Sequence, residues 1–205
     1  MNNLGKILAT FAVMLLISCK RQYTVEGNRV YFNFWDEGSG SQKRLIDSAD
    51  AKTFSKLKFD CDCDFVFAKD KRHLFIDGEP IKNIDPNSFT FVGHYIFRDR
   101  DSAYFFGSYT DINDCVISGV NPDKIKLLIY PWATEGHILI HGNKTISLED
   151  INEFEPIDED WGKTKSKIIN DDVILEGADV RTFKIENRYT GGDKNNTFEF
   201  GKIKK

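Results

Sequence analysis

The chain has little of what marks a helical or catalytic domain. Methionine occurs only 2 times in 205 residues, and no segment shows a long helical period. Phenylalanine occurs 17 times, so the composition favours strands over helices. The net charge is only -4. No basic stripe or arginine cluster is present to neutralise phosphates, which argues against nucleic acid as a partner. A nucleophile elbow, a phosphate-binding glycine loop and a dinucleotide fingerprint are all missing. The sequence therefore names no reaction.

What is present begins at the N-terminus. Lys6 supplies a positive start, residues 7–17 form an apolar run too short to cross a bilayer comfortably, and small Ser18 precedes Cys19. This pattern predicts a cleaved export signal rather than a transmembrane helix. Leu16, Ile17, Ser18 and Cys19 resemble the lipobox of bacterial lipoproteins. That resemblance implies cleavage before Cys19, a diacylglyceryl thioether on its sulfur and an acylated amino group. Two or three acyl chains, at about 0.8 kcal/mol per buried methylene, hold a protein to a membrane where one does not. The alternative is an ordinary secretory signal with a chance cysteine. Lys20 and Arg21 follow where aspartate would act as an inner-membrane retention signal in enteric lipoproteins, so the resemblance favours the outer membrane, facing the periplasm. The expected organisation is residues 1–18 as signal, 19–22 as lipidated N-terminus and 23–205 as one folded domain, about 187 residues after cleavage.

From residue 23 onward a unit of roughly thirty residues recurs, the spacing of a repeat architecture. Its clearest mark is an acidic or amide residue four positions before a large apolar one. Asp50 precedes Phe54, Asp85 Phe89, Asn121 Ile125, Asp150 Phe154 and Asp179 Phe183, with spacings of 35, 36, 29 and 29 residues. Asp85-Pro86 has the form of a helical N-cap followed by proline at the first helical position, so one helical turn per unit is expected to bury Phe89 or its equivalent. Elsewhere the apolar period is two. Phe59, Cys61, Cys63, Phe65 and Phe67 alternate with Asp60, Asp62 and Asp64, which predicts a half-buried strand over 59–67. Asp77-Gly78 offers a type I′ hairpin turn, and Gly142-Asn143 and Asn170-Asp171 are expected in its place later.

A second turn opens each unit, aligned as Glu26-Gly27, Asp70-Lys71, Arg100-Asp101, Thr134-Glu135, Thr164-Lys165 and Asp193-Lys194. Apolar residues follow each. Asp70-Lys71-Arg72-His73-Leu74-Phe75 and Asp193-Lys194-Asn195-Asn196-Thr197-Phe198 resemble the motif Asp-Lys-Asn-Tyr-Tyr that names the DKNYY family. Recurrence of this motif with the downstream acid and phenylalanine extends the resemblance over residues 23–203, although no unit keeps the tyrosine pair. The resemblance implies a secreted or lipid-anchored bacterial protein and assigns no activity.

The residues able to carry chemistry are few. Once Cys19 is lipidated, Cys61, Cys63 and Cys115 remain. On an extended strand the Cα atoms of Cys61 and Cys63 stand about 6.6 Å apart, so a bridge inside that pair would be strained. A disulfide to Cys115 and buried free thiols are both open, with metal or redox use weaker because Cys-x-Cys lacks the usual spacer. His137 and His141 on one strand face would be about 13 Å apart, too far to share a metal. Asp60, Asp62 and Asp64 read as a solvated strand face, and Asp158, Glu159 and Asp160 as a charged loop.

The sequence thus predicts an all-β repeat protein of short meandering hairpins, about three strands and one helical turn per unit, in an open stack or a propeller-like ring. No cofactor or metal is implied. The leading functional expectation is a non-catalytic, lipid-anchored envelope protein that presents its repeat surface to a protein or glycan partner. An envelope hydrolase acting on glycan or peptide is the alternative, and an immunity or inhibitor protein a third.

Overall fold

A computed structural model of the protein describes residues 21–108 and 110–204; Cys19 and the expected export signal lie outside them. The described residues divide after Phe89 into two compact units. In the first, β1 (Gln22–Glu26), β2 (Arg29–Asp36) and β3 (Gly40–Leu45) form a three-stranded antiparallel meander, followed by the four-stranded sheet of β4 (Ser55–Lys56), β5 (Phe67–Lys69), β6 (Leu74–Ile76) and β7 (Glu79–Ile81). The second holds four such sheets. They comprise β8 (Thr90–Gly93), β9 (Ile96–Arg98), β10 (Ala103–Phe105) and β11 (Val116–Ile117); β12 (Lys126–Leu127), β13 (Trp132–Glu135), β14 (Ile138–His141) and β15 (Lys144–Ser147); β16 (Glu155–Pro156), β17 (Trp161–Lys163), β18 (Ile168–Asn170) and β19 (Val173–Ile174); and β20 (Lys184–Ile185), β21 (Thr190–Gly192), β22 (Thr197–Glu199) and β23 (Lys202–Ile203).

The fold is nearly all β, as the composition and the period of two predict. The repeat has four strands rather than three. β4, β12, β16 and β20 are two residues long, too short to display any alternation, so only their backbone pairing reveals them. The single helical turn is present in two forms. Pro122–Lys124 and Ile151–Glu153 are 3-10 turns after Asn121 and Asp150, whereas Asp50 and Asp179 each begin a turn closed by the amide of the residue three positions on. A further 3-10 turn, Ile112–Asp114, is capped by Asp111.

Turn residues follow backbone demand. Asp77 and Gly78 both have positive φ, 48° and 84°, as a type I′ turn requires. Gly142-Asn143 joins β14 to β15. In the next sheet Asn170 still pairs with Val173, so the turn there is Asp171-Asp172, one residue beyond the expected pair.

The predicted strand over 59–67 does not form. Only Phe67 belongs to β5, and residues 57–66 lie outside the strands, with the Leu57 N–H donating to the Phe67 carbonyl at 3.0 Å. Burial still alternates, with Phe59, Cys61, Cys63 and Phe65 half-buried and the three aspartates exposed. Cys61 is bridged to Cys63 with Cα atoms 5.1 Å apart, closer than an extended strand allows. The sequence objection to this bridge assumed an extended backbone, and the backbone is bent. Cys115 is a buried free thiol.

Each apolar cluster is shared by two sheets that adjoin in sequence. In the first unit Tyr23, Val30, Phe32 and Ile46 pack with Ala68 and Phe75. In the second, Ile96, Ala103 and Ile117 pack with Ala133 and Ile140, then Trp132, Leu139 and Leu148 with Ile169, then Trp161 and Ile168 with Phe198. A sheet this small cannot bury its own face, so its neighbour completes the core.

Candidate functional site

The motif acid is explained by the hairpin it opens. Asp70 is 1% exposed. One of its oxygens accepts the backbone N–H groups of Arg72 and His73, each at 2.7 Å, and the other accepts the N–H of Asp50 at 2.9 Å. Asp193 repeats this with Asn195, Asn196 and Asp179. The acid thus caps its own turn and holds the helical-turn residue of the same repeat. In the third unit this residue is Asp99, which accepts from Asp101 and Ser102, so the sequence alignment on Arg100-Asp101 is one residue late. In the fourth, Glu135 pairs with Ile138 and the turn is Gly136-His137. The fifth reverses the polarity. Thr164 caps the hairpin and donates its hydroxyl to Asp150 at 2.6 Å, and Lys167 and the Thr164 hydroxyl hold the Asp150 carboxyl far below the usual carboxylate range.

Side chains also stitch one repeat to the next, in register. Trp132 Nε1 donates to the Asp158 carbonyl at 2.8 Å, and Trp161, 29 residues on, donates to that of Asn187 at 3.1 Å. His141 Nε2 donates to the Glu159 carbonyl at 2.8 Å. Its counterpart 29 residues on, Asn170, donates Nδ2 to the Arg188 carbonyl at 3.1 Å. A histidine and an asparagine thus do the same work at equivalent positions. In the first unit Tyr23 plays a related part, donating to the Val66 carbonyl at 3.2 Å and accepting from the Gly78 N–H at 2.8 Å.

Around His141 lies a cluster of titratable groups. Asp171 Oδ1 is 3.9 Å from its Nε2, and Asp160 Oδ1 is 3.0 Å from Arg188 Nε. Burial pushes the Asp171 carboxyl above its ordinary range, partly offset by His141. Of this cluster sequence reasoning singled out His141 and Asp160 and missed Asp171 and Arg188. A comparison at a strict 29-residue shift would have marked both as departures from the repeat, because it sets Asp171 beside Phe200 and Arg188 beside Glu159. The other sequence candidates lie apart. His94 sits in the β8–β9 turn, with its ring edge on Tyr130, and His137 in the β13–β14 turn. The Cys115 thiol is pushed up to about 11 by burial, which makes it a poor nucleophile. Among the described residues no three His, Cys, Asp or Glu side chains are grouped to hold a metal, and no helix is long and apolar enough to cross a membrane.

Shallow grooves recur with the repeat. One of about 330 Å³ is lined by Asn152, Glu153, Glu155, Lys163, Thr164 and Lys165. A second, of about 620 Å³, is lined by the residues 29 positions later, among them Arg181, Lys184, Gly192 and Lys194.

Stacked four-stranded sheets, buried turn acids and side chains that bridge successive units define an all-β repeat protein. The chain belongs to the DKNYY family, whose model matches residues 23–202. No curated protein and no solved structure matches the chain.

Proposed function

We propose that the protein is a non-catalytic, lipid-anchored protein of the bacterial envelope that offers its repeat surface to a protein or glycan partner. The observation that carries this reading is the equivalence of His141 and Asn170. The histidine best placed for acid–base chemistry makes the bond its asparagine counterpart makes, so its position has a structural explanation. Turn acids such as buried Asp70 and half-buried Asp193 are likewise engaged by backbone N–H groups, and the recurring grooves give the surface its relief. The anchor rests on Cys19 and the residues before it. Outer-membrane placement, facing the periplasm, rests on Lys20 and Arg21.

The proximity of His141 to Asp171 favours the second reading, an envelope hydrolase. One substitution separates the two. His141→Asn preserves the hydrogen bond and removes the imidazole. A binding module carrying it should complement a deletion strain fully. Loss of a general acid or base costs about 10²- to 10⁴-fold in rate, so a folded variant that fails to complement would establish the hydrolase reading instead. For the anchor, Cys19→Ala should move the protein from the membrane to the soluble fraction, and retention after a high-salt wash would refute lipidation.

A further inference from the structure

Two successive repeats present the same groove with different charge. In the earlier one the acids and bases answer each other: Lys163 reaches Glu155 at 3.3 Å and Lys165 reaches Glu153 at 2.6 Å. Twenty-nine residues later Glu153 is replaced by Thr182, Glu155 by Lys184, Asn152 by Arg181 and Lys163 by Gly192. Glu153 and Glu155 have gone from the wall while Asp193 and Glu186 have joined it, so two acids now face three bases, Arg181, Lys184 and Lys194, where two acids faced two lysines. A lysine has also become a glycine where the groove is wider, about 620 Å³ against about 330 Å³. Lys194 is answered by Asp179 at 3.0 Å. Arg181 and Lys184 form no ion pair among the described residues. The carboxylate of Asp193 is occupied by three backbone N–H groups, which leaves Glu186 as the only other acid on the wall.

We infer that the groove lined by Arg181, Lys184 and Gly192 is an oxyanion-binding site, built to receive a phosphate or carboxylate group carried by the partner. Arg181 supplies a planar fork suited to two oxygens and Lys184 a point charge, and Gly192 leaves room for the group to enter. The inference rests on the binding-module reading and names the chemistry of its ligand.

The test is a titration of the folded chain without its signal at low ionic strength. Inorganic phosphate and succinate serve as separate probes, and the amide resonances are followed. Phosphate or succinate should shift Arg181, Thr182, Lys184 and Gly192, and the tighter probe identifies the oxyanion. Arg181→Ala combined with Lys184→Ala should weaken it by about tenfold or more, the loss expected for removing charge-assisted contacts. Lys165→Ala, in the internally paired groove, should leave it unchanged. Absence of shifts with both probes, or equal weakening by Lys165→Ala, would overturn the site. A pull-down from envelopes separates this from the broader reading. A partner captured equally by the wild type and by the Arg181, Lys184 double variant removes the groove from the interface and keeps the module. Phosphate binding with no partner captured keeps the site and removes the module.

Discussion

Two kinds of aspartate coexist in the repeats, and pH separates them. Burial pushes the Asp70 carboxyl up, but the N–H groups of Asp50, Arg72 and His73 outweigh it and hold the carboxyl below the usual range. The N–H of Asp179 leads the same effect on Asp193. A carboxylate depressed in the folded state contributes stability that is fully present above the unfolded value, about 3.9, and is lost as pH falls through the folded value. Asp171 has the opposite sign. Desolvation raises it, so its ionised form opposes folding above its folded value, and protonation relieves this as pH falls. Asp171→Asn should therefore be more stable than the wild type at pH 7. Asparagine also tolerates the positive φ of 52° at this turn position. The advantage should shrink in denaturation curves as pH falls from the raised Asp171 value and be gone below the unfolded value of about 3.9. A difference that is flat with pH would show that desolvation of this carboxylate is not what sets it.

At the scale of the element, the recurring phenylalanine lies against a small residue of the second strand. Phe183 sits over Gly191, where a Cβ would meet its ring at 2.7 Å, and Phe154 crowds Gly162 in the same way. Ala133 holds the equivalent place where the turn carries Ile125 instead of phenylalanine. Gly162→Ala should thus cost about 1 to 3 kcal/mol by overpacking, and much of the loss should return when Phe154→Ile is added. Additive losses in a double-mutant cycle would disprove the pairing. This arrangement was half legible in the sequence. The acid and the phenylalanine four residues later stand out at four of the five positions, with Asn121 and Ile125 at the other, and Phe89 is buried to 8% exposure as expected. Phe54, Phe154 and Phe183 are only half-buried, because each rests on a neighbouring strand rather than inside its own turn. The two-residue strands left no periodic trace. Alternation from Phe59 to Phe67 reported burial correctly and pairing wrongly, since a period of two records which side faces the core and says nothing about hydrogen bonds. At the candidate site, His141 was visible and its role was not: Glu159, whose carbonyl it holds, is 18 residues away.

At the scale of the whole molecule, stability in a repeat protein is approximately a sum of local terms and nearest-neighbour interfaces. The indole of Trp161 is one such interface. It is 1% exposed, shares a cluster with Phe198, and donates to the Asn187 carbonyl. Trp161→Phe keeps an aromatic ring but removes that donor and some volume, a cost of about 1 to 3 kcal/mol. Where that cost appears is informative. If interfaces act locally, native-state hydrogen exchange should show protection falling most in β22, whose Phe198 shares this tryptophan's cluster, and little in β1 to β3. The His141 bond to Glu159 lies in the preceding interface and should protect β13 and β14 in the variant as before. A uniform loss from β1 to β22 would mean that the chain opens as one cooperative body. The in-register stitches at Trp132, His141, Trp161 and Asn170 would then transmit strain across the repeats instead of confining it to one interface.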